Sequence, residues 1–332
     1  MRLRPAVPLL LAAGLWLLPA PASAGDLVAG TRFRQFETTD ALGRAIVFYL
    51  SEASGPARPL VLFVPGSGCA PSFRRTPEGR VTAGYQGPLL AVVADRLRVL
   101  VVEKPGAVAF DPTPRGGTAV GCGPEFLREH TLERWTAALA AALAAARAMP
   151  GVDSTQTLVI GHSEGAVAAA HLSRLDPAIT GIALLAGSGP SQLFDLLLEA
   201  RRRRGEAGAA EVLAEANKIS GDPDAVDRWA WGHPYRRWSS FLAVSSLEEL
   251  QASRAGIYLA YGTEDTAVPL ESSEVLHAGL LAAGRNPTVE RRYGSNHSLD
   301  LPGQRPPEGM SEVFRHVVQW FGDRSPAALA HE

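Results

Sequence analysis

Five short, mainly apolar runs set the rhythm of the chain: "LVLFV" (60–64), "RVLVV" (98–102), "TLVI" (157–160), "GIALLAG" (181–187) and "GIYLAYG" (256–262). A strand with no polar alternation is a strand buried on both faces, as in a parallel sheet covered by helices. Between these runs lie segments with helical spacing of apolar residues. They are "YQGPLLAVVADRL", the long Ala-rich "EFLREHTLERWTAALAAALAAARAM" that stops at Pro150-Gly151, "EGAVAAAHLSRL", and helices near 271–283 and 311–321. Ahead of them, residues 31–50 read as two strands around an Asp-Ala-Leu-Gly turn. "TVERRY" (288–293) reads as a last strand. Strands alternating with helices predict an α/β fold, a mostly parallel sheet covered on both sides. The alternation breaks at about 188–250, a helix-rich stretch with three tryptophans in "RWAWGHPYRRWSSF". We read it as a cap inserted over the sheet edge, within a single domain spanning 25–332.

Bulk properties narrow the picture. A hydrophobic content of 46% supplies a sizeable core, and a net charge of -2 gives no electrostatic case for nucleic acid. Residues 1–24 have the charged, apolar, small-residue order of a secretory signal: Arg2 and Arg4, an apolar run, then Ala22-Ser23-Ala24. Cleavage after Ala24 is expected, giving a periplasmic or secreted protein with no stable membrane anchor. The two cysteines, Cys69 and Cys122, then have the choice of a disulfide or of two separate buried thiols. A bridge would be worth about 4 kcal/mol in the chain-entropy model.

The candidate chemistry starts at Gly161-His162-Ser163-Glu164-Gly165, which follows one apolar strand and opens one helix. A serine on so tight a strand-to-helix turn is exposed and strained, and the helix N-terminus behind it favours developing negative charge. A serine hydroxyl needs a base, and a histidine base needs a carboxylate to orient it. Of eight histidines, His297 lies in a polar loop directly after the last strand, in "YGSNHSLD". Asp265 follows another apolar strand in "LAYGTEDTAVP", with Glu264 as the fallback acid. The order Ser163, Asp265, His297 places each just after its own strand. The oxyanion donors expected for such a serine are the Glu164 N–H and an N–H from the loop Pro65-Gly66-Ser67-Gly68, with Ser67 first and Gly68 next.

These motifs in this order, "LFVPGSG", "VIGHSEG", "AYGTEDTAVP" and "GSNH", resemble the α/β-hydrolase superfamily over about residues 31–322. Within it the chain is similar to exported esterases, dienelactone-hydrolase-like proteins and acylaminoacyl-type serine peptidases. The resemblance implies an eight-stranded sheet with a cap between strands six and seven. It also implies an exported serine hydrolase that cleaves a small-molecule carboxylic ester through Ser163, His297 and Asp265, with no cofactor and no metal. Pro65-Gly66 departs from the usual His-Gly of the oxyanion loop. A peptidase or amidase, and a non-catalytic protein that kept the fold, remain as alternatives; a serine that never acylates would mark the last. Trp229, Trp231, Tyr235 and Trp238 either pack the cap or line an apolar substrate pocket. His233 reads as structural. Glu164 has three readings: it meets the cap, meets a cationic part of the substrate, or is solvated. Arg201 to Arg204 read as a solvated helix face, or as a contact for anionic substrates or headgroups.

Overall fold

The computed structural model describes residues 25–52, 54–112 and 116–324. The expected signal segment, 1–24, lies outside the described residues. Nine strands form the main sheet: β1 (Asp26–Leu27), β2 (Phe33–Thr39), β3 (Ala45–Ser51), β4 (Arg58–Val64), β5 (Arg98–Val102), β6 (Val152–His162), β7 (Gly181–Leu185), β8 (Gly256–Gly262) and β9 (Thr288–Arg292). Their spatial order is β1-β2-β3-β5-β4-β6-β7-β8-β9. The pairs from β1 to β5 are antiparallel, and those from β5 across to β9 are parallel. The mostly parallel sheet read from the apolar runs is therefore present, with an antiparallel hairpin from residues 33–51 on one side.

Each apolar run feeds two cores. In β4, Leu60, Leu62 and Val64 face one side, while Val61 and Phe63 face the other. Ile182 and Leu184 of β7 alternate with Ala183 and Leu185 in the same way. One core is closed by the helices Leu132–Arg147, Glu164–Leu175 and Leu270–Ala282, the other by Gln86–Val93 and the amphipathic Glu308–Asp323. Trp135 and Phe314 are among the fully buried side chains that anchor them. Such side chains each gain about 1.5–3 kcal/mol or more from leaving water.

Two expectations need correction. The Ala-rich segment is two helices, Pro124–Glu129 and Leu132–Arg147, not one. The chain leaves helical geometry at His130, and Thr131 caps the second helix by accepting from Arg134 N–H. The reason is chemical: His130 turns its ring inward to a buried carboxylate described below. The helix-rich insertion also lies differently. It crosses the C-terminal ends of the central strands, where Arg237 reaches the residue after Ser163, rather than a lateral edge. Its last helix, Ser246–Ala252, packs into the helical layer against Glu164–Leu175 and Leu270–Ala282.

The rest of the cap is a long helix, Gln192–Gly221, broken at Gly205 (φ 63°), then a two-strand hairpin at 229–234 and the short helix Tyr235–Phe241. Arg201 to Arg204 are exposed, and each is paired with an acid: Glu206, Glu271, Glu199 and Glu211 in turn. Cys69 and Cys122 are bridged, with Cα atoms 5.9 Å apart. No described helix is long and apolar enough to cross a membrane.

Candidate active site

Ser163 sits at φ 57°, ψ -126°, a left-handed conformation that costs a side-chain-bearing residue on the order of 1–3 kcal/mol. The turn is held by Ser163 N–H donating to Leu185 O of β7 and by Ala166 N–H donating to Ser163 O. It is this tight because strand and helix nearly touch. A Cβ on Gly161 would lie 2.3 Å from Gly165 O, and one on Gly165 would lie 2.2 Å from Val64 O. Glycine at 161 and 165 is thus a packing requirement of the neighbouring backbone.

The histidine and the acid arrive from the next strands. Gly262, at the end of β8, lies directly beneath the loop that follows β9: a Cβ there would meet Ser295 O at 2.2 Å. Glu264 N–H donates to Ser295 O, and Gly294 N–H donates to Thr263 Oγ1, so the Asp265 and His297 loops are stitched together. His297 Nε2 lies 3.0 Å from Ser163 Oγ, and His297 Nδ1 lies 2.8 Å from Asp265 Oδ2. The other oxygen of Asp265 accepts from the N–H groups of Ala267 and Val268. The Asp265 side chain is 2% exposed, whereas Glu264 points to solvent. Asp265, and not the fallback acid Glu264, meets His297 Nδ1. In this chain of contacts Nδ1–H donates to the carboxylate, which leaves Nε2 free to accept the serine proton.

Gly66 packs against the serine: a Cβ at this position would stand 3.2 Å from Ser163 Cβ. Among the described residues, neither the Glu164 N–H nor the Ser67 N–H donates to a protein acceptor. Ser67 instead uses its carbonyl, which accepts from Gly117 N–H. Gly68 serves the loop through its carbonyl and a positive φ of 93°.

The side chain of Glu164 settles its three readings in favour of the cap. It is buried, and Oε1 takes Lys104 Nζ at 3.0 Å and His130 Nε2 at 2.9 Å. Oε2 takes Arg237 Nε at 3.0 Å and Nη2 at 2.6 Å. Burial alone pushes this carboxyl up, but Lys104 above all, then His130 and Arg237, outweigh it and hold the group well below its usual value. Burial takes His130 down to about 4, so it is neutral and carries its proton on Nε2. Lys104 also donates to the carbonyls of Gly66 (2.6 Å) and Gly68 (3.2 Å). A single ammonium thus fixes the loop expected to supply one oxyanion donor and, through Glu164, the turn expected to supply the other. His162, beside the serine, leaves the turn sideways and donates Nε2–H to His297 O at 3.1 Å, bracing the base from behind. Lys104, His130, His162 and Arg237 were not singled out from sequence. The available signal was a Glu-Lys pair at the exit of a mainly apolar strand, where polar side chains are out of place unless paired.

Two cavities of about 320 and 330 Å³ meet at Ser163, sharing Ser67, Gly117 and His297. The first lies under the cap against Leu196, Trp231, His233, Arg237 and Trp238. The second runs along Pro71, Arg74 and Tyr85. Of the aromatic candidates, Trp231 and Trp238 line the cap cavity. Trp229 is 39% exposed away from it, and Tyr235 is buried in the cap's own small core. His233, expected to be only structural, lines the cavity. Among the described residues there is no cluster of histidines, cysteines and acids able to hold a metal ion.

Residues 61–324 match the profile of the alpha/beta hydrolase family. The chain belongs to this family. The β2-β3-β5-β4-β6-β7-β8-β9 order carries its eight-stranded sheet, and β1 adds a short strand outside it. No curated protein matches this hydrolase chain in sequence. Among solved structures, it is similar to the acylaminoacyl peptidase of Pyrococcus horikoshii (TM-score 0.60, 14% identity, covering 89% of this chain and 42% of that one). It is also similar to a puromycin-hydrolyzing peptidase of Mycobacterium tuberculosis (TM-score 0.58, 15% identity, 88% of this chain and 40% of that one). Est1E from Butyrivibrio proteoclasticus matches at TM-score 0.56 and 16% identity, over 87% of this chain and 99% of its own. The chain thus spans about two fifths of each peptidase but nearly all of Est1E. At these identities the likeness establishes the fold.

Proposed function

We propose that this alpha/beta hydrolase is a serine esterase that acts through an acyl-enzyme. The observation that carries the reading is the aligned pair of contacts, Ser163 Oγ to His297 Nε2 at 3.0 Å and His297 Nδ1 to Asp265 at 2.8 Å. In the first step His297 Nε2 takes the Ser163 proton as Oγ forms a bond to the ester carbonyl carbon. The oxyanion is met by the N–H groups of Glu164 and Ser67. Collapse expels the alcohol, which receives the proton from His297. Water then attacks the acyl-Ser163 carbonyl, its proton passing to His297. The acid leaves and Ser163 regains its proton. Asp265 holds the imidazole tautomer and stabilises its charged form. Each oxyanion donor is worth about 3–4 kcal/mol in the transition state.

We also propose that the protein works outside the cytoplasm, on a small-molecule substrate. The order of residues 1–24 supports export, and the Cys69–Cys122 disulfide supports an oxidising compartment. A second reading, a peptidase or amidase using the same residues, is favoured by the two peptidases among the structural neighbours. The test is initial-rate hydrolysis of 4-nitrophenyl esters of increasing acyl length by the chain from Gly25 onward, beside peptide arylamides and beside Ser163→Ala. Ester turnover lost in Ser163→Ala supports the esterase; faster arylamide turnover moves the assignment to amidase. Equal rates in both proteins would refute Ser163 as nucleophile.

A further inference from the structure

The cap cavity has a polar wall that the acyl-transfer scheme does not use. Arg237 is 3% exposed, and its guanidinium lies over the rings of Trp238 (4.1 Å) and Phe241 (4.6 Å). Nε and Nη2 are spent on Glu164. Nη1, with two N–H groups, has no acceptor among the described residues, and Nδ1 of the neighbouring His233 has no partner there either. A buried charged donor left unpaired is expensive, and a guanidinium cannot escape by losing its proton.

The charge count points the same way. Lys104 and Arg237 are two cations around one carboxylate, Glu164, with His130 and His233 neutral because burial takes them to about 4 and about 3. Burial lowers Lys104 as well, so Lys104 can give up its proton where Arg237 cannot. Asp195 also lines this cavity, with Oδ1 without a partner among the described residues; burial pushes its carboxyl up to about 6, so it keeps most of its charge at neutral pH and is the rival centre that a cationic ester probes. An unpaired Nη1 on a group that cannot lose its proton suits an anionic oxygen acceptor.

We propose that the cap cavity holds a carboxylate carried by the substrate, with Arg237 Nη1 as its donor and Trp231 and Trp238 enclosing the intervening carbon chain. The inference deepens the esterase reading: the substrate is the monoester of a dicarboxylic acid, or an ester of a hydroxy acid, and the site rests on Ser163 opening into the same cavity.

Binding and turnover test it separately. Ser163→Ala protein is titrated calorimetrically with monomethyl glutarate and 3-acetoxypropionate, which place the carboxylate on the acyl or the alcohol side. The neutral dimethyl glutarate and the cationic methyl 4-aminobutyrate are the comparisons. One of the two monoanions is expected to bind at least tenfold more tightly than either, more weakly as salt rises. Arg237→Lys in the same background should lose about tenfold, and Arg237→Met should erase the preference. In the wild type, either an aryl hemiadipate should exceed the neutral aryl hexanoate or 3-acetoxypropionate should exceed propyl acetate, at least tenfold in kcat/KM. Equal binding of anionic and neutral esters overturns the proposal, as does tighter binding of the cation, which would give the cavity to Asp195. If Arg237→Met does not fold, the selectivity of the Ser163→Ala protein alone decides. Ser163-dependent ester turnover without charge preference removes the subsite and keeps the esterase. Selective carboxylate binding without Ser163-dependent turnover does the reverse.

Discussion

Replacing Glu164 by glutamine keeps the shape of the side chain and removes its charge. The structure then holds Lys104 and Arg237 buried around no carboxylate. At the 3.0 Å separation of Lys104 and Glu164, and an effective dielectric near 20, the attraction lost is about 5 kcal/mol before solvation is counted. Deleting one partner of a buried pair costs about 3–5 kcal/mol, because the survivor stays desolvated. For a domain of this size that is a fall in Tm of about 6–15 °C. Thermal unfolding followed by circular dichroism at pH 7 measures it. The pH dependence adds a second condition. The folded carboxyl is held below its ordinary 4.5, so its stabilisation is complete above that value and is lost as pH falls toward the folded pKa. The Tm gap between wild type and Glu164→Gln should stay level from about pH 5 to 8 and narrow below about pH 4.5. Adding Lys104→Met to Glu164→Gln should cost less than the two singles summed, by about 1–3 kcal/mol. A gap under about 2 °C at pH 7, or one unchanged at pH 3, would refute the account of this buried group.

Other substitutions probe the turn and the loop. Gly165→Ala, whose methyl would sit 2.2 Å from Val64 O, should cost about 3 kcal/mol or more and leave little soluble protein in an expression trial. Ser163→Gly relieves the left-handed strain that Ser163→Ala retains, so it should melt above Ser163→Ala by about 1 kcal/mol equivalent, both being inactive. Equal melting of the two would argue against strain at the turn. Reducing the Cys69–Cys122 bridge, which closes 53 residues beside Gly68, should lower stability by about 4 kcal/mol and slow ester turnover. Unchanged activity in dithiothreitol would detach the bridge from the oxyanion loop.

The sheet was readable because its strands are buried on both faces, so β4, β5, β7 and β8 appear as mainly apolar runs. Ser163, Asp265 and His297 were readable for a related reason: each lies just past one of these strands, where a parallel sheet gathers its loop ends. Strand order turned those three separate signals into one site. The group around Glu164 was not readable. Its members stand 34, 60 and 73 positions away, on a helix break, a strand exit and a cap helix, and each alone looks like an ordinary polar residue. The break at His130 was hidden for the same reason. Alanine-rich periodicity favours continuing the helix, and only the long-range contact to Glu164 explains why the chain departs from it. The cap's placement depends on Arg237 in the same way, through a partner the local pattern does not reveal.

Ser163 stands where two separately built chambers join. One is walled largely by the 192–241 insertion, the other by the turns between residues 65 and 86, and among the described residues they share only Ser67, Gly117, Ser163 and His297. On the proposed esterase reading, the two halves of a substrate would be judged by different stretches of chain. Descendants of this protein could trade one half of their diet without renegotiating the other. A designer could graft a new cap hairpin at 229–234 to change what the cap chamber accepts while leaving the other chamber as it was.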